Sequence, residues 1–177
     1  MPTTLVLGGI RSGKSRFAES LLPAAGPARY LATGSSVPGD AAWADRVAAH
    51  RSRRPGHWAT AETTDIATEL RTGDAVPTLI DDLGGWLTAM LDSRGAWDRG
   101  GEMIAADVGT LIDAIGTYPS DLVIVSPEVG LTVVPATASG RLFADQLGTL
   151  NQAVAGRSER VLLVVAGQPL AIKGACT

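Results

Sequence analysis

A single cysteine, Cys176, stands beside the C-terminal residue, so the chain has no internal disulfide framework and no cysteine-based zinc site. This usage suits a reducing compartment, and the cytoplasm is the expected location. No apolar run approaches the roughly twenty residues that span a bilayer, and Pro2 to Leu7 lacks the basic n-region and long apolar h-region of a secretory leader. The expectation is a soluble, unprocessed protein with no membrane span. Basic excess is missing as well: 15 Lys and Arg face 18 Asp and Glu, a net charge of −3, which supplies no global field for drawing the chain onto nucleic acid. Partners must be met at local sites. The chain also lacks repeats, low-complexity tracts and interdomain linkers, its loop-like stretches being the short Gly34 to Gly39 and Ser93 to Gly101.

What remains is ample apolar material: 45% hydrophobic and 19% charged over 177 residues, enough for one domain spanning residues 1–177. Apolar runs of strand length, Thr4 to Leu7, Arg29 to Thr33, Val76 to Asp81, Asp121 to Ser126 and Arg160 to Ala166, alternate with helical patterns. That alternation predicts a parallel sheet with crossover helices. The runs Thr78-Leu79-Ile80, Leu122 to Val125 and Val161 to Val165 are continuous rather than alternating, as in strands buried on both faces. Helices are expected from Lys14 or Ser15 to Ala25, Asp40 to about His50, Asp65 to Arg71, Leu83 to Asp92, Glu102 to Ile115 and Gly140 to Val154. Trp58 to Thr63 has the composition of one more short strand.

Between the first run and the first helix lies Gly8-Gly9-Ile10-Arg11-Ser12-Gly13-Lys14-Ser15, the complete G-x-x-x-x-G-K-[ST] pattern. Glycines let successive backbone N–H groups converge without Cβ clashes, and a helix starting at Lys14 aims its positive end at the same point. Phosphate is the complementary guest. Lys14 supplies a point charge for the β- and γ-phosphates, and the Ser15 hydroxyl is suited to Mg²⁺. The expected fold class is therefore α/β, P-loop NTPase-like, a mostly parallel central sheet with helices on both faces.

Such a loop needs a carboxylate at the end of another strand, near the metal. Asp81 closes Thr78-Leu79-Ile80, with Asp82 beside it; the alternative is that Asp81 starts a turn or caps the following helix. Asp82-Leu83-Gly84-Gly85 also matches the D-x-x-G of nucleotide switches, but no N-K-x-D guanine reader accompanies it, so a switch is the lesser reading. On the second expected helix Arg46 and His50 share a face at i, i+4, followed by Arg51, Ser52, Arg53 and Arg54. A neutral imidazole there is a nucleophile beside a polyphosphate-holding cluster. A helix-terminal histidine on a solvated basic face is the simpler alternative from the residues alone. His57, before Trp58, reads as a turn residue.

Taken together, these segments resemble the bifunctional adenosylcobinamide kinase / adenosylcobinamide-phosphate guanylyltransferase family of cobalamin biosynthesis. The resemblance rests on GGIRSGKS at Gly8 to Ser15, RYLAT at Arg29 to Thr33 and RV-x-x-H-x-x-x-RP-x-x-W-x-T-x-E from Arg46 to Glu62. It continues through LIDDL-x-x-WLT at Leu79 to Thr88, EVG at Glu128 to Gly130, VP at Val134-Pro135, R-x-F-x-D at Arg141 to Asp145, G-x-x-NQ at Gly148 to Gln152 and LVV-x-G-x-P at Leu163 to Pro169. It implies that a nucleoside triphosphate, ATP or GTP, phosphorylates adenosylcobinamide, and that GMP from GTP is then joined to adenosylcobinamide phosphate through a guanylyl-histidine.

By that resemblance His50 is the nucleophile, and Thr33, Gly34, Ser35, Arg51 to Arg54, Glu62 and Asp81 line the nucleotide site with the loop. Glu62 or Asp81 would accept from the guanine N1–H and amino group; Asp81 cannot do this and hold Mg²⁺ in one pose. A homo-oligomer is implied too. The chain departs from the family at Pro127, where asparagine is common before Glu128-Val129-Gly130, and at Thr132, where a glycine is usual. Both lie in what is expected to be a substrate-facing or subunit-contact hairpin.

Overall fold

A computed structural model describes residues 2–34 and 55–175. The expected helix from Asp40 to His50 lies outside the described residues. Among them, seven strands form one sheet: β1 (Thr3–Gly8), β2 (Arg29–Ala32), β3 (Ala59–Glu62), β4 (Thr78–Asp81), β5 (Leu122–Pro127), β6 (Arg160–Val165) and β7 (Gln168–Lys173), in the spatial order β3-β2-β4-β5-β1-β6-β7. The pairings from β3 through β6 are parallel, and only β6 with β7 is antiparallel. The helices are α1 (Lys14–Ser20), α2 (Ile66–Thr72), α3 (Leu83–Ser93), α4 (Ala105–Thr117), which follows a 3₁₀ turn over Gly101–Ile104, and α5 (Ala138–Arg157).

The continuous apolar strands are covered on both sides, as parallel sheets require. On one face Val6, Tyr30, Leu79, Val123, Val125 and Val164 pack with Ala18 of α1 and with Leu22 just beyond that helix. On the other, Leu5, Leu7, Leu31, Ile80 and Ile124 meet Ile66, Leu87, Leu111 and Leu147 from the remaining helices. Each of these valines, leucines and isoleucines contributes about 1.5–3 kcal/mol of transfer free energy. Because side chains alternate along a strand, placing Leu79 on the α1 face puts Asp81 there as well. The core pattern thus aims a carboxylate toward the helix that follows the glycine loop.

α1 is shorter than the expected Lys14 to Ala25. Leu21 and Leu22 bond back to Ala18 and Glu19 in tight i→i+3 turns, and Pro23 has no N–H with which to continue. The strand β7 was not expected. Its Pro169 and alternating exposure suit an antiparallel edge, where a missing donor is tolerated. Ala166 (φ 51) and Gly167 (φ 77) form the two-residue hairpin loop, so Ala166 is a turn residue and not the end of β6. The expected hairpin around Pro127 to Thr132 is instead a loop without strand pairing from Glu128 to Thr137, held by local bonds such as Gly130 N–H to Glu128 Oε1 (2.6 Å).

Candidate active site

β1 is buried along its whole length and ends at Gly8 between β5 and β6, at the C-terminal edge of the parallel strands, where open α/β sheets bind their ligands. The chain turns there through Gly9 to Gly13 and enters α1. A Cβ on Gly8 would stand 2.8 Å from the Val164 carbonyl oxygen, and one on Gly13 would stand 3.2 Å from Gly167 Cα. Arg11 at φ 56 and Gly13 at φ 92 bracket Ser12, an alternation of handedness that makes a concave row of amides. Acceptors of the turn are committed inward: Gly8 C=O accepts from Glu128 N–H (3.0 Å), Gly9 C=O from Ser12 N–H (3.3 Å) and Ser12 C=O from Gly167 N–H (2.8 Å). Two of the amides are engaged within the loop, Ser12 N–H with Gly9 C=O and Lys14 N–H with Ser12 Oγ (3.4 Å), and an anion would be met by those that remain. Ile10 at its tip is 86% exposed, so nothing described covers it.

The four strands flanking the loop on one side bring further groups to the same edge. Registers Glu62 with Ala32, Ala32 with Asp81, Asp81 with Val125 and Val125 with Val6 set these residues in one row across β3, β2, β4, β5 and β1. At the end of β4, Asp81 accepts a hydrogen bond from Ser15 Oγ at Oδ1 (3.2 Å) and another from the Tyr30 hydroxyl at Oδ2. Thr33, buried at the end of β2, donates its N–H to Asp81 C=O (3.1 Å) and its hydroxyl to Asp82 C=O (2.5 Å). The Asp81–Asp82 peptide is cis.

Asp82, not Asp81, caps α3: its Oδ1 accepts from Gly85 N–H at 2.8 Å. The D-x-x-G match is thereby a helix cap. Burial of the Asp82 carboxyl, reinforced by the neighbouring Asp81 charge, raises its pKa; the Gly85 amide and the Lys14 ammonium oppose that rise. A Cβ on Gly85 would meet Thr33 Oγ1 at 3.1 Å, so the first turn of α3 is held close against the end of β2.

The structure thus brings Gly8 to Ser15, Thr33, Gly34 and Asp81 to one edge of the sheet. Glu62 ends β3 at the sheet edge, exposed and two strands from Asp81, roughly 10 Å at ordinary strand spacing. Ser35, His50, Arg51, Ser52, Arg53 and Arg54 lie outside the described residues, as does Arg46. His57 is exposed in the turn that Trp58 N–H closes onto Pro55 C=O. Neither the Tyr30 contact with Asp81 nor the capping role of Asp82 is expected from the sequence. The signal for Tyr30 is a hydroxyl in a buried strand, which must find a partner.

Magnesium fits the residues present. The Ser15 hydroxyl and the Asp81 carboxylate are two oxygens on one spot, and no group of His, Cys, Asp and Glu sufficient to cage a metal exists among the described residues. An ion there would take its other ligands from phosphate and water, as Mg²⁺ does.

Comparison with known proteins places residues 4–172 in the match to the family described as cobinamide kinase / cobinamide phosphate guanyltransferase. The chain is 40% identical over 176 residues to the bifunctional adenosylcobalamin biosynthesis protein CobP of Pseudomonas aeruginosa, covering 96% of each. It is 36% identical over 182 residues to the bifunctional adenosylcobalamin biosynthesis protein CobU of Salmonella typhimurium, covering 96% of this chain and 98% of that one. Among solved structures, an ATPase of the type III secretion system of pathogenic bacteria superposes with a TM-score of 0.55 at 15% identity, over 92% of this chain and 50% of that chain. That likeness bears on the fold alone.

Proposed function

We propose a division of labour within this chain, which belongs to the cobinamide kinase / cobinamide phosphate guanyltransferase family and is a bifunctional enzyme of adenosylcobalamin biosynthesis. It phosphorylates adenosylcobinamide with a nucleoside triphosphate and then joins GMP from GTP to the phosphate, releasing pyrophosphate and giving adenosyl-GDP-cobinamide. The observation that carries the assignment of residues is the meeting of Ser15 with Asp81 beside the glycine loop.

For the first transfer, ATP or GTP lies with its β- and γ-phosphates on the amides of Gly9 to Ser15. The aminopropanol hydroxyl attacks the γ-phosphorus, the bond to the bridging oxygen breaks, and nucleoside diphosphate leaves. Lys14 follows the charge that develops on the leaving oxygens, in a loose transition state governed by electrostatics. Ser15 and Asp81 would hold Mg²⁺, which supplies Lewis-acid neutralisation of the phosphate charge. That contact favours the metal role for Asp81 over the reading of guanine. Glu62 is then the carboxylate for the guanine N1–H and amino group.

For the second transfer, His50 attacks the α-phosphorus of GTP, with pyrophosphate leaving. The phosphate of adenosylcobinamide phosphate then displaces the imidazole, so one difficult substitution becomes two in-line steps. Arg51, Ser52, Arg53 and Arg54, with Thr33, Gly34 and Ser35, complete the nucleotide site in this reading. A homo-oligomer in the cytoplasm is part of the same proposal; no helix of the described residues is long and apolar enough to cross a membrane.

The test supplies adenosylcobinamide with ATP or with α-labelled GTP and separates the corrinoid products and the protein. Wild type should give both products and an acid-labile, base-stable label on protein; His50→Ala should give only the phosphorylated corrinoid and no label. Unimpaired guanylylation by His50→Ala would make the histidine structural and reduce this reading to a P-loop kinase with a different transferase residue.

A further inference from the structure

We infer that Tyr30 is a positioning residue for the metal-side carboxylate: its buried hydroxyl holds one oxygen of Asp81 so that the other faces Ser15. The inference deepens the proposed function and rests on its assignment of Asp81 to Mg²⁺.

Tyr30 is 1% exposed and heads the largest fully buried side chains among the described residues. It sits on β2 in register with Leu79 of β4, two residues before Asp81, and its ring lies on the α1 face among Val6, Ala18, Leu22, Leu79 and Val123. A side chain of that length reaches along its neighbour strand, so its hydroxyl arrives at Asp81 Oδ2 while Ser15 Oγ meets Oδ1 at 3.2 Å.

A carboxylate at a strand end can rotate about its side-chain torsions, and a terminal carboxylate torsion is soft. Only orientations with an oxygen over the Ser15 hydroxyl present it to the same ion. Tying Oδ2 to a donor fixed by close packing removes the others. Tyrosine is suited to the task because its ring is anchored over its full length and its hydroxyl needs a partner once buried. Supporting hydrogen bonds of this kind typically govern metal affinity by about tenfold or more.

The test measures Mn²⁺ binding directly, by electron paramagnetic resonance titration of the protein saturated with the β,γ-imido analogue of GTP. Four forms are compared: wild type, Tyr30→Phe, Asp81→Asn and the double variant. Tyr30→Phe keeps the ring and should weaken Mn²⁺ about tenfold, while leaving analogue affinity in the absence of metal within about twofold. In the Asp81→Asn background the same change should have no further effect, because the carboxylate it orients is gone.

The outcomes separate. If Asp81→Asn leaves Mn²⁺ affinity unchanged, the metal role of Asp81 fails and this inference falls with it. If Asp81→Asn weakens Mn²⁺ but Tyr30→Phe does not, the metal role stands and Tyr30 is merely packed. An equal effect of Tyr30→Phe with and without Asp81 would assign it to general packing and overturn the inference too. A parallel Mg²⁺ titration of the kinase step should show a raised half-saturating Mg²⁺ for Tyr30→Phe with turnover restored at excess Mg²⁺.

Discussion

Replacing Gly13 by alanine perturbs the phosphate loop at the point where sequence and tertiary structure constrain it together. The residue sits at φ 92, where an L side chain crowds the following carbonyl, at a cost of about 1–2 kcal/mol. Its new Cβ would also stand 3.2 Å from Gly167 Cα, and a backbone atom cannot swing aside as a side-chain end can. Against this, alanine narrows the unfolded ensemble and returns about 0.4–1 kcal/mol. The net expectation is a loss of about 1–2 kcal/mol, read in urea unfolding as a midpoint lowered by about 0.5–1 M at a slope of about 2 kcal/mol/M. Because the Ser12 C=O to Gly167 N–H bond would shift with it, the amides should lose convergence and affinity for a fluorescent GTP analogue should fall about tenfold. Gly9→Ala is the control: no atom stands within 4 Å of its built Cβ, and its stability should change by less than about 0.5 kcal/mol. Wild-type stability and nucleotide affinity in Gly13→Ala, or an equal loss in Gly9→Ala, would refute the reasoning.

Three further outcomes are expected. In the absence of metal and nucleotide, Asp82→Asn keeps an oxygen for Gly85 N–H but has no charge to bury. A raised folded-state pKa means the wild type has its full relative stability below the ordinary carboxylate value of 3.8 and loses it as pH rises through the raised value. The advantage of the variant in thermal unfolding should therefore grow from acid to neutral pH; a constant difference would count against it. Asn151 is buried, with Ser126 Oγ donating to its Oδ1 at 2.6 Å and its Nδ2 donating to Pro127 C=O at 3.1 Å. Asn151→Leu strands both partners and should cost about 2 kcal/mol or more in chemical unfolding, with part recovered by adding Ser126→Ala. Lys14→Met should lower turnover of corrinoid phosphorylation by roughly a hundred- to a thousandfold while the unfolding midpoint stays near wild type; a fall of less than about threefold would remove Lys14 from the chemistry.

Much of the site is legible in the sequence. Gly8 to Ser15 follow a buried apolar run and open a helix, and those features are local in the chain, so spacing reveals them. Asp81 was visible for a similar reason, as the first polar residue after Thr78-Leu79-Ile80. The capping role of Asp82 was not, because it depends on which face of the sheet each side chain enters. Leu79 faces α1, hence Asp81 does, and Asp82 is left to cap α3. β7 stayed hidden because Gln168 to Lys173 carries neither a buried run nor the usual Asn-Gly turn; it is stabilised as a strand by the ladder of β6.

Sequence alone determined the alternation of parallel strands and helices, the phosphate-loop pattern and the family, since each is written in residues close along the chain or in their order. Tertiary structure decided which carboxylate meets Ser15 and what holds it there. Tyr30, Ser15 and Asp81 are brought together by strand order and register, which arise when two apolar faces are buried at once, and no short window of sequence contains that information.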